Sequence, residues 1–200
     1  VPLLIAATQI ITPMLRSTTS AAYVIVDATG QYADAIHARI DRANQRRALD
    51  RLSDYAARWQ RDGVQQLESA AYPSFTDAQL DAFTSQGGIE AALQRLAPNL
   101  SDDAPPFRAP DTLYVRAAAP ADAPTADGAA FGAAIAPLLE GDIDTPEGEL
   151  PFALAVYIPA DFGTSSNAAT IWTNGDASPN FVEFVRTELT QHISEELVAR

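Results

Sequence analysis

Two apolar runs of strand length, each closed by a polar turn, constrain this chain more than anything else in it. The first is Tyr23-Val24-Ile25-Val26-Asp27-Ala28-Thr29-Gly30. The second is Phe152-Ala153-Leu154-Ala155-Val156-Tyr157-Ile158-Pro159-Ala160-Asp161-Phe162. β-Branched and aromatic residues suit a pleated, buried surface, and turn-forming residues bound both runs, so both read as strands. The first leads straight into a helical pattern that begins near Gln31. Strand, turn and helix in that order are the wiring of an α/β sheet.

The helical pattern continues to Asp62, but its apolar phase changes. Ile36, Ile40 and Ala43 cluster on one side, and Leu49, Leu52, Ala56 and Trp59 cluster roughly opposite. The helix therefore either breaks between Asn44 and Arg47 or serves two different contacts. Gly63 to Pro110 reads as an irregular helical insertion, with Thr76-Asp77 as a cap ahead of Leu80 and Phe83, and Gly87-Gly88 interrupting before Ile89, Leu93 and Leu96. Ser101 to Pro106 is a loop, and Thr112 to Arg116 a third strand. Ala117 to Pro124 is a surface loop, and Ala129 to Leu139 a short helix that Pro137 should end or kink.

After the second long strand, Gly163 to Asn167 forms a small-residue loop. Ala169 to Thr173 then alternates as a half-exposed strand does. Ser178-Pro179 places a cap ahead of a proline at the first helical position, which starts a last helix with Phe181, Val182, Val185, Leu189 and Ile193 on its apolar face. No internal repeat stands out. The expected architecture is an α/β fold: a mixed sheet of about four strands flanked by helices, with a mostly helical insertion at about 63–110.

At 200 residues the chain is long enough to bury a core, and 47% hydrophobic against 20% charged residues is ordinary for a folded protein. Thirteen basic against 26 acidic residues give a formal charge of −13, which repels phosphate backbones and makes nucleic acid an unsuitable partner. Every Lys/Arg position is Arg, which we read as genomic base composition. With no Cys, disulfides, thiolate nucleophiles and Cys-ligated metals are excluded.

Val1 to Leu15 is nearly all apolar and starts without Met. It matches neither a signal peptide nor a complete membrane span, which takes about 20 apolar residues. Two readings stand: a buried core segment, or the outer end of a transmembrane helix with Arg16 to Ser20 as its polar exit.

Candidates for chemistry are few. Asp142, Asp144, Glu147 and Glu149 gather carboxylates in a Gly/Pro-containing stretch that could offer oxygen ligands to Ca²⁺, but the Gly and distal Glu of the EF-hand pattern are missing, which favours a solvated acidic turn. His37 and His192 lie far apart in the sequence and in no ligand motif, so neither is expected to hold a metal. Arg46-Arg47 could face an anion, but suits a solvated helix face better. A serine nucleophile has neither a Gly-x-Ser-x-Gly elbow nor a Ser-x-x-Lys pair. Asp27-Ala28-Thr29-Gly30 departs from the aspartic-protease Asp-Thr-Gly signature by the intervening Ala28, and no second copy occurs, so Asp27 is expected to organise its turn. A hydrolase using Asp27 and Asp161 is the weakest reading. No catalytic, cofactor-binding or metal residue is assigned.

The strand written Val-Ile-Val-Asp-x-Thr-Gly, the helix continuing Ala-Asp-Ala-Ile-x-Ala-Arg-Ile, the strand ending Ile158-Pro159-Ala160-Asp161-Phe162, and the strand at Thr170 to Thr173 with Asn174 before the last helix carry a resemblance. Together with the apolar start, they resemble the large extracytoplasmic domain of ABC type-2 exporter permeases, the group that includes sodium-efflux permeases. The resemblance covers about 15–62 and 150–200. It implies a membrane-helix end at 1–16 and a single extracytoplasmic domain over 17–200. It also implies a place on the periplasmic or extracellular side of the cell membrane, and a non-catalytic docking or gating role. The implied partners are the transmembrane helices of the same permease, a cytoplasmic ATPase subunit, and a second permease or an adaptor protein. The acidic, Lys-free composition fits the outer side of a membrane. The alternative is a free-standing soluble α/β ligand-binding module.

Overall fold

The computed structural model describes residues 20–61, 76–121, 123–163, 168–174 and 179–199; for Asn180 and 192–199 it describes the backbone alone. The expected membrane-helix end at 1–16, the first part of the insertion from Gly63, most of the Gly163 to Asn167 loop, the Ser178 cap and the His192 side chain lie outside the described residues. In chain order the elements are β1 (Ala21–Asp27), α1 (Ala33–Trp59), α2 (Asp77–Ser85), α3 (Gly88–Leu96), β2 (Tyr114–Arg116), α4 (Gly128–Ile135), β3 (Asp142–Thr145), β4 (Gly148–Ile158), β5 (Thr170–Thr173) and α5 (Pro179–Ala199). They divide into two compact units, one of residues up to Ile40 and from Thr112 onward, the other of residues 41–111.

The first unit is built on a mixed five-stranded sheet. β2, β1 and β4 run parallel in that spatial order, and β3 and β5 both pair antiparallel with β4. β1 alternates between two buried faces. Ala22, Val24 and Val26 join Phe131 and Ile135 of α4 in one apolar cluster. Tyr23, on the other face, meets His37 of α1 and Phe181 of α5 at ring centroids of 5.5 and 5.8 Å. Helices therefore cover both sides of β1, which explains why it reads as a continuous apolar run rather than an alternating one.

β4 carries a one-residue irregularity. Ala22 lies opposite Phe152 and Tyr23 opposite Leu154, so Ala153 is extra, and the bulge lets both Phe152 and Ala155 join the α4-side cluster.

The expected acidic turn near Asp142 is a β-hairpin instead, and it supplies the strand that raises the sheet from about four to five. Asp142 pairs with Pro151, Ile143 with Leu150, Asp144 with Glu149, and Thr145 with Gly148. Ile143 and Leu150 pack against the core cluster while the carboxylates face out. Gly148 closes the connection at φ 110°, a conformation that suits glycine. β4 accordingly begins at Gly148 rather than Phe152.

The helical pattern from Gln31 proves to be one unbroken helix, so its change of apolar phase marks two contacts. Ile36 and Ile40 are fully buried in the first unit. Leu49 joins Leu80 and Phe83, and Leu52 and Ala56 join Leu96, in two apolar clusters of the second unit. There α2 starts at a capping box: the Thr76 hydroxyl accepts from the Gln79 N–H, and the Gln79 side chain accepts from the Thr76 N–H. Gly87 and Gly88, at φ 94° and 60°, turn the chain from α2 into α3. The short helix expected over Ala129 to Leu139 is α4 followed, past Pro137, by a single 3₁₀ turn at Leu138–Glu140. Asp127 caps it by accepting from the Ala129 and Ala130 N–H groups.

Candidate functional site

β1 and β4 end side by side, with Asp27 opposite Ile158 and the Ala28 N–H donating to the Ile158 carbonyl at 2.9 Å. Open α/β sheets bind ligands outside the carboxyl ends of their parallel strands, which is where the Asp27 and Asp161 turns lie. Asp27 Oδ1 accepts from the Thr29 N–H at 2.9 Å and from the Thr29 hydroxyl at 2.6 Å. Its Oδ2 accepts from the Tyr32 and Ala33 N–H groups at 2.7 and 3.0 Å. The Thr29 hydroxyl also accepts from the Gln31 N–H at 3.1 Å, and Gly30 takes φ 71°. Each chemistry-bearing residue of the motif is thus engaged with its own turn and the first turn of α1.

Burial pushes the Asp27 carboxyl up, and the hydrogen bonds from Thr29, Ala33 and Tyr32 outweigh it, holding the group below its ordinary 3.8. A general base works best with a pKa near the operating pH, and this carboxylate is displaced the other way. Asp161 lies in the turn after β4, where the Phe162 N–H donates to the Pro159 carbonyl and the Phe162 ring meets Tyr32 edge-on at 5.3 Å. The arrangement around Asp27 anchors a helix to the end of a strand.

His37 is 6% exposed, and its Nδ1 lies 2.9 Å from the Tyr23 hydroxyl. Its Nε2 is buried without a hydrogen-bond partner among the described residues. Burial first, and the charge of Arg116 second, push the imidazole down from 6.5 to about 4, so it is neutral at physiological pH. Beside it, Phe181 stacks on Tyr114 with centroids 3.5 Å apart, and Glu188 is buried on α5 with Arg39 Nε 3.6 Å from its Oε2.

The remaining candidates resolve into structural contacts. Arg46 Nη2 lies 3.3 Å from Asp77 Oδ1, and Arg47 Nη1 donates to the Asp111 carbonyl at 2.6 Å, so both guanidinium groups have partners within the second unit. Asp142, Asp144 and Glu149 lie on the outward side of the hairpin, and Glu147 accepts from the Thr112 hydroxyl at 2.9 Å. Among the described residues no group of three or more His, Asp or Glu side chains is placed to hold a metal ion, and no helix is long and apolar enough to cross a membrane.

A crevice opens on the edge of β4, lined by Leu139, Glu140, Asp142, Pro151, Trp172 and Asn174 among others. It draws on three separate stretches of chain, and no local motif marks it. Comparisons of the chain with family models, with curated proteins and with solved structures find no match.

Proposed function

We propose that the chain is a non-catalytic extracytoplasmic domain of an ABC exporter permease, acting as a docking or gating surface outside the membrane. In this reading transport belongs to membrane helices of the same permease, ATP hydrolysis belongs to a separate cytoplasmic subunit, and a second permease or an adaptor protein docks on the outer domain. The observation that supports it most is the use made of the Asp27-Ala28-Thr29-Gly30 turn. Its carboxylate is fully committed to main-chain and hydroxyl donors that join β1 to α1. The second resembling strand, β4, pairs directly alongside it, so the segments that carry the resemblance form one scaffold.

Fractionation of cells that express the complete gene product tests the proposal. Recovery in the membrane fraction, together with co-purification of a separate ATPase polypeptide after detergent extraction, is expected. Quantitative recovery in the soluble fraction would instead favour the free-standing binding module.

A further inference from the structure

On the side away from β1, β4 changes neighbour partway along its length. Residues Gly148 to Pro151 pair with β3, and Leu154 to Tyr157 pair with β5. Between them Phe152 donates its N–H to the Gly141 carbonyl at 3.0 Å, and the Ala153 carbonyl accepts from the Asn174 N–H at 3.2 Å. Two edge strands laid end to end leave a gap where they meet, and the bulge at Ala153 sits at that same point. The crevice there has a volume of about 730 Å³.

The chemistry of its lining is one-sided. Glu140 and Asp142 bring two exposed carboxylates, Trp172 an indole wall, and Leu139 and Pro151 apolar surface; among the described residues no Arg or His lines it. Asn174 adds a buried Oδ1 that receives no hydrogen bond from the described residues. Trp172 is held in place from behind, because Gly132 of α4 has no side chain: a methyl group there would lie 2.5 Å from Trp172 Cζ2. Phe131 braces the same indole edge-on at a centroid distance of 5.6 Å.

The geometry points to a binding site for a small organic ammonium compound. An aromatic wall beside carboxylates attracts a cation through the ring face and through charge, and the apolar walls accept the body that carries it. A bare metal ion would leave those walls unused, and an anion would meet two carboxylates. The inference does not depend on the permease reading, since it concerns only what the crevice binds.

Choline is the probe, and 3,3-dimethylbutan-1-ol, which has the same shape and hydroxyl without the charge, is the control. In the Trp59→Phe background, Trp172 is the sole indole, so its fluorescence reports the crevice. A saturable change with choline at about millimolar concentration is expected, with no saturation for the neutral alcohol or for equal NaCl. The double variant Glu140→Gln/Asp142→Asn, checked for an unchanged circular dichroism spectrum, should weaken choline about tenfold. The single variants should each weaken it about threefold, and they decide the matter if the double variant loses its fold. Equal responses to choline and the alcohol, or unchanged choline affinity in the folded variants, would overturn the inference.

Discussion

Replacing Asp27 with Asn tests whether the turn after β1 is a scaffold joint. The change keeps the volume and one acceptor oxygen, so Oδ1 can still accept from Thr29. The Oδ2 position becomes an NH₂ group facing the Tyr32 and Ala33 N–H groups, which now lie 2.7 and 3.0 Å from the atom that accepts them. Two hydrogen bonds to a charged group are lost and donor faces donor. After discounting for partial exposure, that costs about 1 kcal/mol for each bond. Removing an anion from the N-terminus of α1 adds about 0.5–1 kcal/mol, for a total of about 2.5–3 kcal/mol.

Urea unfolding, followed by Trp172 fluorescence in the Trp59→Phe background, reads the unit that contains the turn. The folded-state pKa of Asp27 lies below its ordinary 3.8, so its stabilisation is complete above that pH and is lost as pH falls through the folded value. The gap between parent and variant should therefore be full near neutrality and narrower in strong acid. A loss under about 0.5 kcal/mol at neutral pH, or a gap that persists unchanged in acid, would refute the reasoning.

Two further outcomes follow from buried contacts. His37 has a folded-state pKa pushed down from 6.5 to about 4, so it contributes full stability above its unfolded value, and that contribution falls away as pH drops toward 4. Between about pH 7.5 and pH 4.5 this should remove about 2–3 kcal/mol from the parent, a loss absent from His37→Phe when both are unfolded in urea. Gly132→Ala would drive a methyl group into the Trp172 indole, and a drop of about 1–3 kcal/mol with a shifted Trp172 emission maximum is expected in thermal unfolding.

The legible parts of the fold were those in which one local signal had one physical cause. β1, β2 and β5 were expected within a few residues of where they lie, and β4 was expected but with a later start; β-branched and aromatic runs in a sheet flanked by helices leave few alternatives. The phase change in α1 is visible in the sequence as a conflict, and the structure resolves it without a break: Ile36 and Ile40 are buried in the first unit, and Leu49, Leu52 and Ala56 in the second. β3 is not legible in the sequence because Asp142-Ile143-Asp144-Thr145 has only one apolar residue in four, so its carboxylates outweigh the alternation. The Pro146-Glu147 turn followed by Gly148 was the available clue.

Asp27 was legible as a turn organiser because an Asp, a Thr and a Gly at a strand end carry local hydrogen-bonding chemistry. The crevice was not, because it depends on β4 exchanging one neighbour for another, and pairing partners distant in sequence leave no local mark. Trp172 read as an ordinary strand residue for the same reason.

Accessibility of a single introduced cysteine in the complete gene product, expressed in intact cells, addresses the proposed location directly. The 200 residues contain no cysteine, and Asp103 is an exposed turn residue, so Asp103→Cys gives one reporter within them without disturbing a core contact. A membrane-impermeant maleimide should label it before lysis as fully as after. Labelling that appears only once the membrane is broken would place the domain on the inner side and contradict the extracytoplasmic assignment.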